Sequence, residues 1–138
     1  MPRKQKTITK LKKDLWKVFS LYIKLKHSED GEWCSCYTCG NPIKIGTSSC
    51  HGGHFLSKAA YNIHYFNENN VRPQGSCCNT FKEGDPITFR ENLIEEIGLE
   101  AVEEMEATRH TVVKRDRGWY LEKIEHYKQE VERLQEGS

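Results

Sequence analysis

The sequence predicts an α+β protein in which a small zinc-stapled core is flanked by N-terminal and C-terminal helices. Three observations predict it. Two cysteine clusters, at Cys36 and Cys39 and at Cys77 and Cys78, stand about forty residues apart, and paired cysteines can share one zinc ion that pins two chain segments together. A lysine-rich amphipathic stripe precedes them, and further apolar stripes at helical spacing follow them. The length of 138 residues suits a single domain overall.

The elements follow in order. Residues 1–8 read as a basic tail. Over 9–28, Leu11, Leu15, Val18, Phe19, Tyr22, Ile23 and Leu25 recur at three and four with lysines on the other face, which is an amphipathic helix ended by Ser28-Glu29-Asp30-Gly31. The core spans 29–84. In it, Trp33 to Gly40 suits a short strand entering a tight metal-binding turn. Asn41-Pro42 and Gly46-Thr47-Ser48-Ser49 mark loops, and His54-Phe55-Leu56 can close a hairpin. Tyr61, Ile63, Tyr65 and Phe66 supply bulk beside the site, and Asn70 to about Lys82 is expected to begin a short helix carrying the second cysteine cluster. The region 85–138 is helical. Asp85 as N-cap and Pro86 at the first position start one helix, with Phe89, Leu93, Ile94 and Ile97 on its apolar face and Gly98 ending it. Leu99 to Met105 forms another, with Val102 and Met105 inward. Tyr120, Ile124, Tyr127, Val131 and Leu134 then make a heptad-like stripe, which either packs on the first helix of the same chain or forms a dimer seam.

Charged residues make up 30% of the chain, mean hydropathy is −0.77, and no apolar run approaches the ~20 residues of a membrane span. The N-terminus lacks the apolar stretch of a secretory signal, so a cytoplasmic location is expected. In that reducing compartment six cysteines point to metal ligands or buried thiols rather than disulfides. The net charge of +1 hides an asymmetry: residues 1–28 hold nine Lys or Arg against Asp14 alone, while 83–138 hold eight against fifteen acids. The basic segment suits a phosphate backbone, with Lys12, Lys13 and Lys17 as contacts, although a solvated helix face gives the same pattern.

Zinc takes four thiolate or imidazole ligands in a tetrahedron. Cys36 and Cys39 form one half-site, and Cys78 anchors the other. A regular second knuckle would put its partner at position 75, which is Gly75, so Cys77 becomes the fourth ligand of choice. Cys34, a histidine or water are the alternatives.

His51-Gly52-Gly53-His54 places two imidazoles beside flexible glycines. Phosphodiester hydrolysis needs an activated water and charge stabilisation at the leaving oxygen. His54 as neutral base, His51 and Asn79 as ligands of Mg²⁺ or Mn²⁺, and Asn70 orienting the histidine loop through backbone hydrogen bonds would meet that need. Lys58, Arg72 and Lys82 stand near enough in sequence to grip phosphates.

Several separate blocks carry a family resemblance: C-Y-T-C-G at 36–40, C-H-G-G-H-F at 50–55, N-V-R-P-Q at 70–74, C-N at 78–79, the run from Phe89 to Glu103, and W-K-V-F-S-L-Y-I at 16–23. Over nearly its whole length the chain resembles the phage NinG proteins, also called Rap recombination endonucleases, which look like a branch of the HNH, or ββα-metal, nucleases. The resemblance implies a ββα-metal core, cleavage of branched DNA such as Holliday junctions and D-loops, and work inside a bacterial host cell. It places His54 at the histidine of the family's Gly-His block and Asn79 at the Mg²⁺-binding Asn after the last zinc cysteine. Two departures stand out. The family writes Q-C-x-x-C-N where this chain has Q-G-S-C-C-N, and it often has Asp or Gln where this chain has His51, which leans metal preference toward Mn²⁺. The expected function is therefore an endodeoxyribonuclease, with branched DNA, a second copy of the chain and phage or host recombination proteins as partners. The alternative is a non-catalytic zinc module that binds DNA or a recombination partner.

Overall fold

The computed structural model describes residues 5–137. Residues 1–4 of the expected basic tail lie outside the described residues. The elements are α1 (Ile8–Lys26), β1 (Trp33–Ser35), β2 (Pro42–Lys44), β3 (Cys50–His54), β4 (Val71–Gly75), α2 (Pro86–Ile97), α3 (Leu99–Ala107) and α4 (Arg117–Glu136). A 3₁₀ turn at Glu68–Asn70 leads into β4, and a single π-helical turn at Cys77–Phe81 follows it.

Thr7 starts α1 by accepting the Lys10 N–H on its side-chain oxygen at 3.1 Å. The helix buries Leu11, Leu15, Phe19, Tyr22 and Ile23, and α4 meets this face with Tyr120, Ile124, Tyr127 and Val131. Phe19 packs edge-on to Tyr127 with ring centroids 5.0 Å apart. The heptad-like stripe is thus used within the chain, as the first of its two readings has it. Burying each of these side chains contributes roughly 1.5–3 kcal/mol, so the α1–α4 pair is a main source of stability.

The strands form two small antiparallel sheets, β1 with β2 and β3 with β4. In the second, Cys50 pairs with Gly75, His51 with Gln74, Gly52 with Pro73 and His54 with Val71. Helix α1 lies against one face of this hairpin. A Cβ on Gly52 would stand 3.2 Å from both Ser20 Cβ and the Trp16 ring, so the helix packs directly on the strand backbone. Helices α2 and α3 make a separate cluster from Phe89, Leu93 and Val102, against which Tyr37 and Phe55 pack. Among the described residues no helix is long and apolar enough to cross a membrane.

Three local expectations are corrected. The segment after Asn70 is a strand before it is helical, because Val71–Gly75 zips onto Cys50–His54 and Pro73 disfavours a helix interior. The hairpin is not closed by His54-Phe55-Leu56: β3 ends at His54, and the chain returns only at Val71. Asp85 precedes α2 with φ 45 and makes no side-chain cap; its backbone carbonyl accepts from Phe89 N–H instead.

Candidate functional site

Cys36 and Cys39 lie on the turn after β1, closed by Gly40 N–H donating to Cys36 O at 2.9 Å, with Gly40 at φ 78. Cys78 lies on the π-helical turn. The three sulfur atoms all lie within 4.8 Å of one another, Cys36 and Cys78 buried and Cys39 exposed. Burial pushes the Cys36 thiol up, but the Gly75 N–H, the Thr38 hydroxyl and the N–H groups of Cys39 and Thr38 together outweigh it and bring it down to about 6. Burial, helped by the neighbouring sulfurs of Cys39 and Cys36, pushes Cys78 up to about 11. The cluster therefore holds one thiolate readily and resists a second. A divalent cation removes that repulsion, so this donor set fits a metal such as zinc.

Cys77 does not join the cluster. The π-helical turn points Cys78 inward and leaves Cys77 exposed, which corrects its assignment as fourth ligand. Cys34 is buried on β1 and its thiol donates to Lys24 O at 3.1 Å. A Cβ on Gly75 would stand 3.8 Å from Cys36 Sγ, so position 75 borders the sulfur cluster although it carries no thiol.

His51 and His54 occupy opposite faces of β3, as residues three apart on a strand do. On one face, the Asn79 amide Nδ2 donates to His51 Nδ1 at 2.9 Å, and His51 Nε2 donates to Ser48 O at 3.0 Å. Asn79 Oδ1 is buried and has no partner among the described residues. On the other face, the His54 ring stacks on Trp16 at 4.7 Å and lies 4.4 Å from the Tyr65 ring. Its Nε2 donates to Tyr65 O at 3.1 Å, which leaves the lone pair on Nδ1. Burial, with a smaller push from Lys58, lowers the imidazole to about 4 against the opposing bond to Tyr65 O, so His54 is neutral at pH 7.

Asn70 is fully buried. Its Oδ1 accepts from Leu56 N–H at 2.7 Å, and its Nδ2 donates to Leu56 O and His64 O. It ties the loop after His54 to the start of β4. Gln74, on the His51 face, donates to Thr38 Oγ1 and Gly84 O and so joins the cysteine turn to the start of the α2 region.

Arg72 is corrected. It is 3% exposed, its guanidinium forms a two-pronged pair with Glu96, and it lies over the Tyr37 ring. It knits β4 to α2 and presents no charge to a nucleic acid. Lys13, Lys17, Lys58 and Lys82 are exposed, and Lys12 is half-buried. The sequence reading missed Trp16, Gln74 and Glu96 as neighbours of the site. Their signals were weak: Trp16 stands one helical turn before Ser20, and Glu96 is one of many acids on a helix surface.

The family model for the bacteriophage lambda NinG protein matches residues 2–137. The chain belongs to the NinG family. Among curated NinG proteins, that of Escherichia phage lambda is 35% identical over 75 residues, 54% of this chain and 35% of the relative. That of Salmonella phage P22 is 35% identical over 72 residues, 52% of this chain and 34% of the relative. The matched segment thus spans about a third of the length of these NinG relatives. No solved structure matches the chain.

Proposed function

We propose that this NinG-family chain is a metal-dependent, structure-specific DNA endonuclease acting on branched recombination intermediates, with Holliday junctions and D-loops as the substrates of choice. The observation that carries the reading is the His51–Asn79 pair. Asn79 turns its NH₂ toward the His51 lone pair, and this orientation strands its own Oδ1 in a buried position. Turned over, the amide would present Oδ1 beside the His51 Nδ1 lone pair, two acceptors of the kind that could together hold a divalent cation. His51 and Asn79 would hold Mg²⁺ or Mn²⁺ there, and the ion would supply charge neutralisation at the phosphate and at the leaving oxygen. A histidine donor favours Mn²⁺ among the two.

The chain's own residues supply the rest. His54 Nδ1 takes a proton from water, and the hydroxide attacks phosphorus as the P–O3′ bond breaks; the departing O3′ takes a proton from solvent, leaving 5′-phosphate and 3′-hydroxyl ends. The Tyr65 carbonyl holds the required tautomer, and Trp16 holds the ring plane. Asn70 fixes the loop that follows. Lys13 and Lys17 on α1, with Lys58 and Lys82, contact DNA phosphates. The Cys36–Cys39–Cys78 zinc site fixes the turn that carries Asn79. Paired cuts across a symmetric junction call for two copies, so a homodimer is the working form.

The test is cleavage of labelled Holliday junction, D-loop and linear duplex in Mg²⁺, Mn²⁺ or EDTA. Metal-dependent cutting confined to branched DNA supports the reading. Binding without cutting under every metal would replace it with a non-catalytic zinc module.

A further inference from the structure

We infer that Cys50 supplies the fourth thiolate of the zinc site, replacing across the sheet the ligand that position 75 lacks. The inference rests on reading the Cys36–Cys39–Cys78 cluster as a zinc site. Zinc in a structural site is four-coordinate, and three sulfurs leave one position to fill. A side chain at position 75 would grow into that cluster, since its Cβ would stand 3.8 Å from Cys36 Sγ. Glycine offers nothing there.

The residue directly opposite Gly75 on the neighbouring strand is Cys50. Opposed residues of an antiparallel pair send their side chains to the same face, with Cβ atoms about 4.5–5.5 Å apart. Cys50 is also in one buried cluster with Cys36, Cys78 and Ile43. It shares that cluster with Cys34, and its sulfur stands outside the group of three. One staggered rotation about its Cα–Cβ bond redirects that sulfur without moving the backbone. Zinc binding then displaces the thiol proton to solvent, and a Zn–S bond forms. The rivals are placed less well: Cys77 is exposed, and the Cys34 thiol is held by Lys24 O.

The test is zinc content and zinc-edge X-ray absorption on the purified full chain, with the cobalt(II)-substituted protein as a second readout. The variants are Cys50→Ser, Cys77→Ser and the double variant Cys50→Ser/Gly75→Cys. Wild type is expected to show one zinc with four sulfurs at about 2.3 Å. Cys50→Ser should show three sulfurs and one lighter ligand, and its thiolate-to-cobalt absorption should fall by about a quarter, in step with the loss of one thiolate in four. Cys77→Ser should match wild type. The double variant should regain four sulfurs, since a Cβ at position 75 meets only ordinary contacts. Should Cys50→Ser fail to fold, Cys34→Ser beside Cys77→Ser still decides: both should keep four sulfurs, and a loss of one in Cys34→Ser would overturn the inference. Three sulfurs in wild type, four in Cys50→Ser, or a loss of one in Cys77→Ser would overturn the inference while leaving the zinc site intact. Absence of zinc from wild type would overturn both.

Discussion

His51 Nδ1 on β3 lies 2.9 Å from the Asn79 amide nitrogen on the π-helical turn, and this contact joins the hairpin to the turn that carries Cys78. Two residues 28 positions apart in sequence thus form one polar pair beside the sulfur cluster. If the pair holds a divalent ion, Asn79→Ala should weaken Mn²⁺ binding by at least about tenfold while zinc content stays unchanged. Titration calorimetry or Mn²⁺ paramagnetic resonance reads the affinity. Equal Mn²⁺ affinity in wild type and variant would remove Asn79 from the ion site.

The lowered His54 imidazole makes stability depend on pH. An unfolded histidine titrates near 6.5, and the folded one near 4, so between these values the unfolded chain binds more protons. The stabilisation is complete above about pH 6.5 and is lost as pH falls toward 4, a change of roughly 2–3 kcal/mol. His54→Phe keeps an aromatic ring between Trp16 and Tyr65 but cannot titrate. Denaturant unfolding at pH 7 and pH 4 should show the difference in stability shrinking by about that amount in the variant. An unchanged difference would show that burial does not shift His54.

Gly53 is where the hairpin tolerates no side chain. A Cβ there would overlap Gln74 Oε1, and Gln74 is fully buried and held at its Nε2 by Thr38 and Gly84. Gly53→Ala should therefore cost about 1–3 kcal/mol by overpacking, read as a lowered Tm. Because Gln74 spans to Thr38, the variant should also loosen zinc. A variant as stable as wild type would mean that Gln74 moves freely.

Arg72 ties three elements through Glu96, the Glu68 carbonyl and the Tyr37 ring. Arg72→Met removes both guanidinium donors from Glu96, which keeps the Tyr37 hydroxyl, and takes the guanidinium donor from the half-buried Glu68 carbonyl, so about 1–3 kcal/mol of stability should go with it. The same change should leave salt-dependent DNA affinity unaltered, since the guanidinium faces inward. A shallower salt dependence in the variant would return Arg72 to the DNA interface.

The helices were legible because their signals are local. The i, i+3, i+4 spacing of Leu11, Leu15, Phe19 and Tyr22 and the matching stripe from Tyr120 to Val131 specify two faces that need each other. The cysteine turn was legible for the same reason, since Cys36 and Cys39 with Gly40 sit within one bend. Strand β4 was not, because Val71–Gly75 lacks alternation: all five residues are buried, and their partner strand lies many residues earlier. Arg72 and Cys77 were misassigned for a related reason. Proximity in sequence says nothing about which way a side chain leaves a strand or a π-helical turn, and only the register of β3 with β4 decides that. Spacing marks position 75 as the place where a regular second knuckle would carry its ligand, and a Cβ there would stand 3.8 Å from Cys36 Sγ. Its cross-strand neighbour Cys50 could be seen only once the register was known.

The most direct test of the nuclease account is single-turnover cleavage of a labelled Holliday junction in Mn²⁺ by wild type, His54→Ala and Asn79→Ala, each matched for zinc content. The account predicts cutting by wild type and losses on the order of 100-fold or more in both variants, with junction binding retained. Cutting by His54→Ala and Asn79→Ala at the wild-type rate would contradict it.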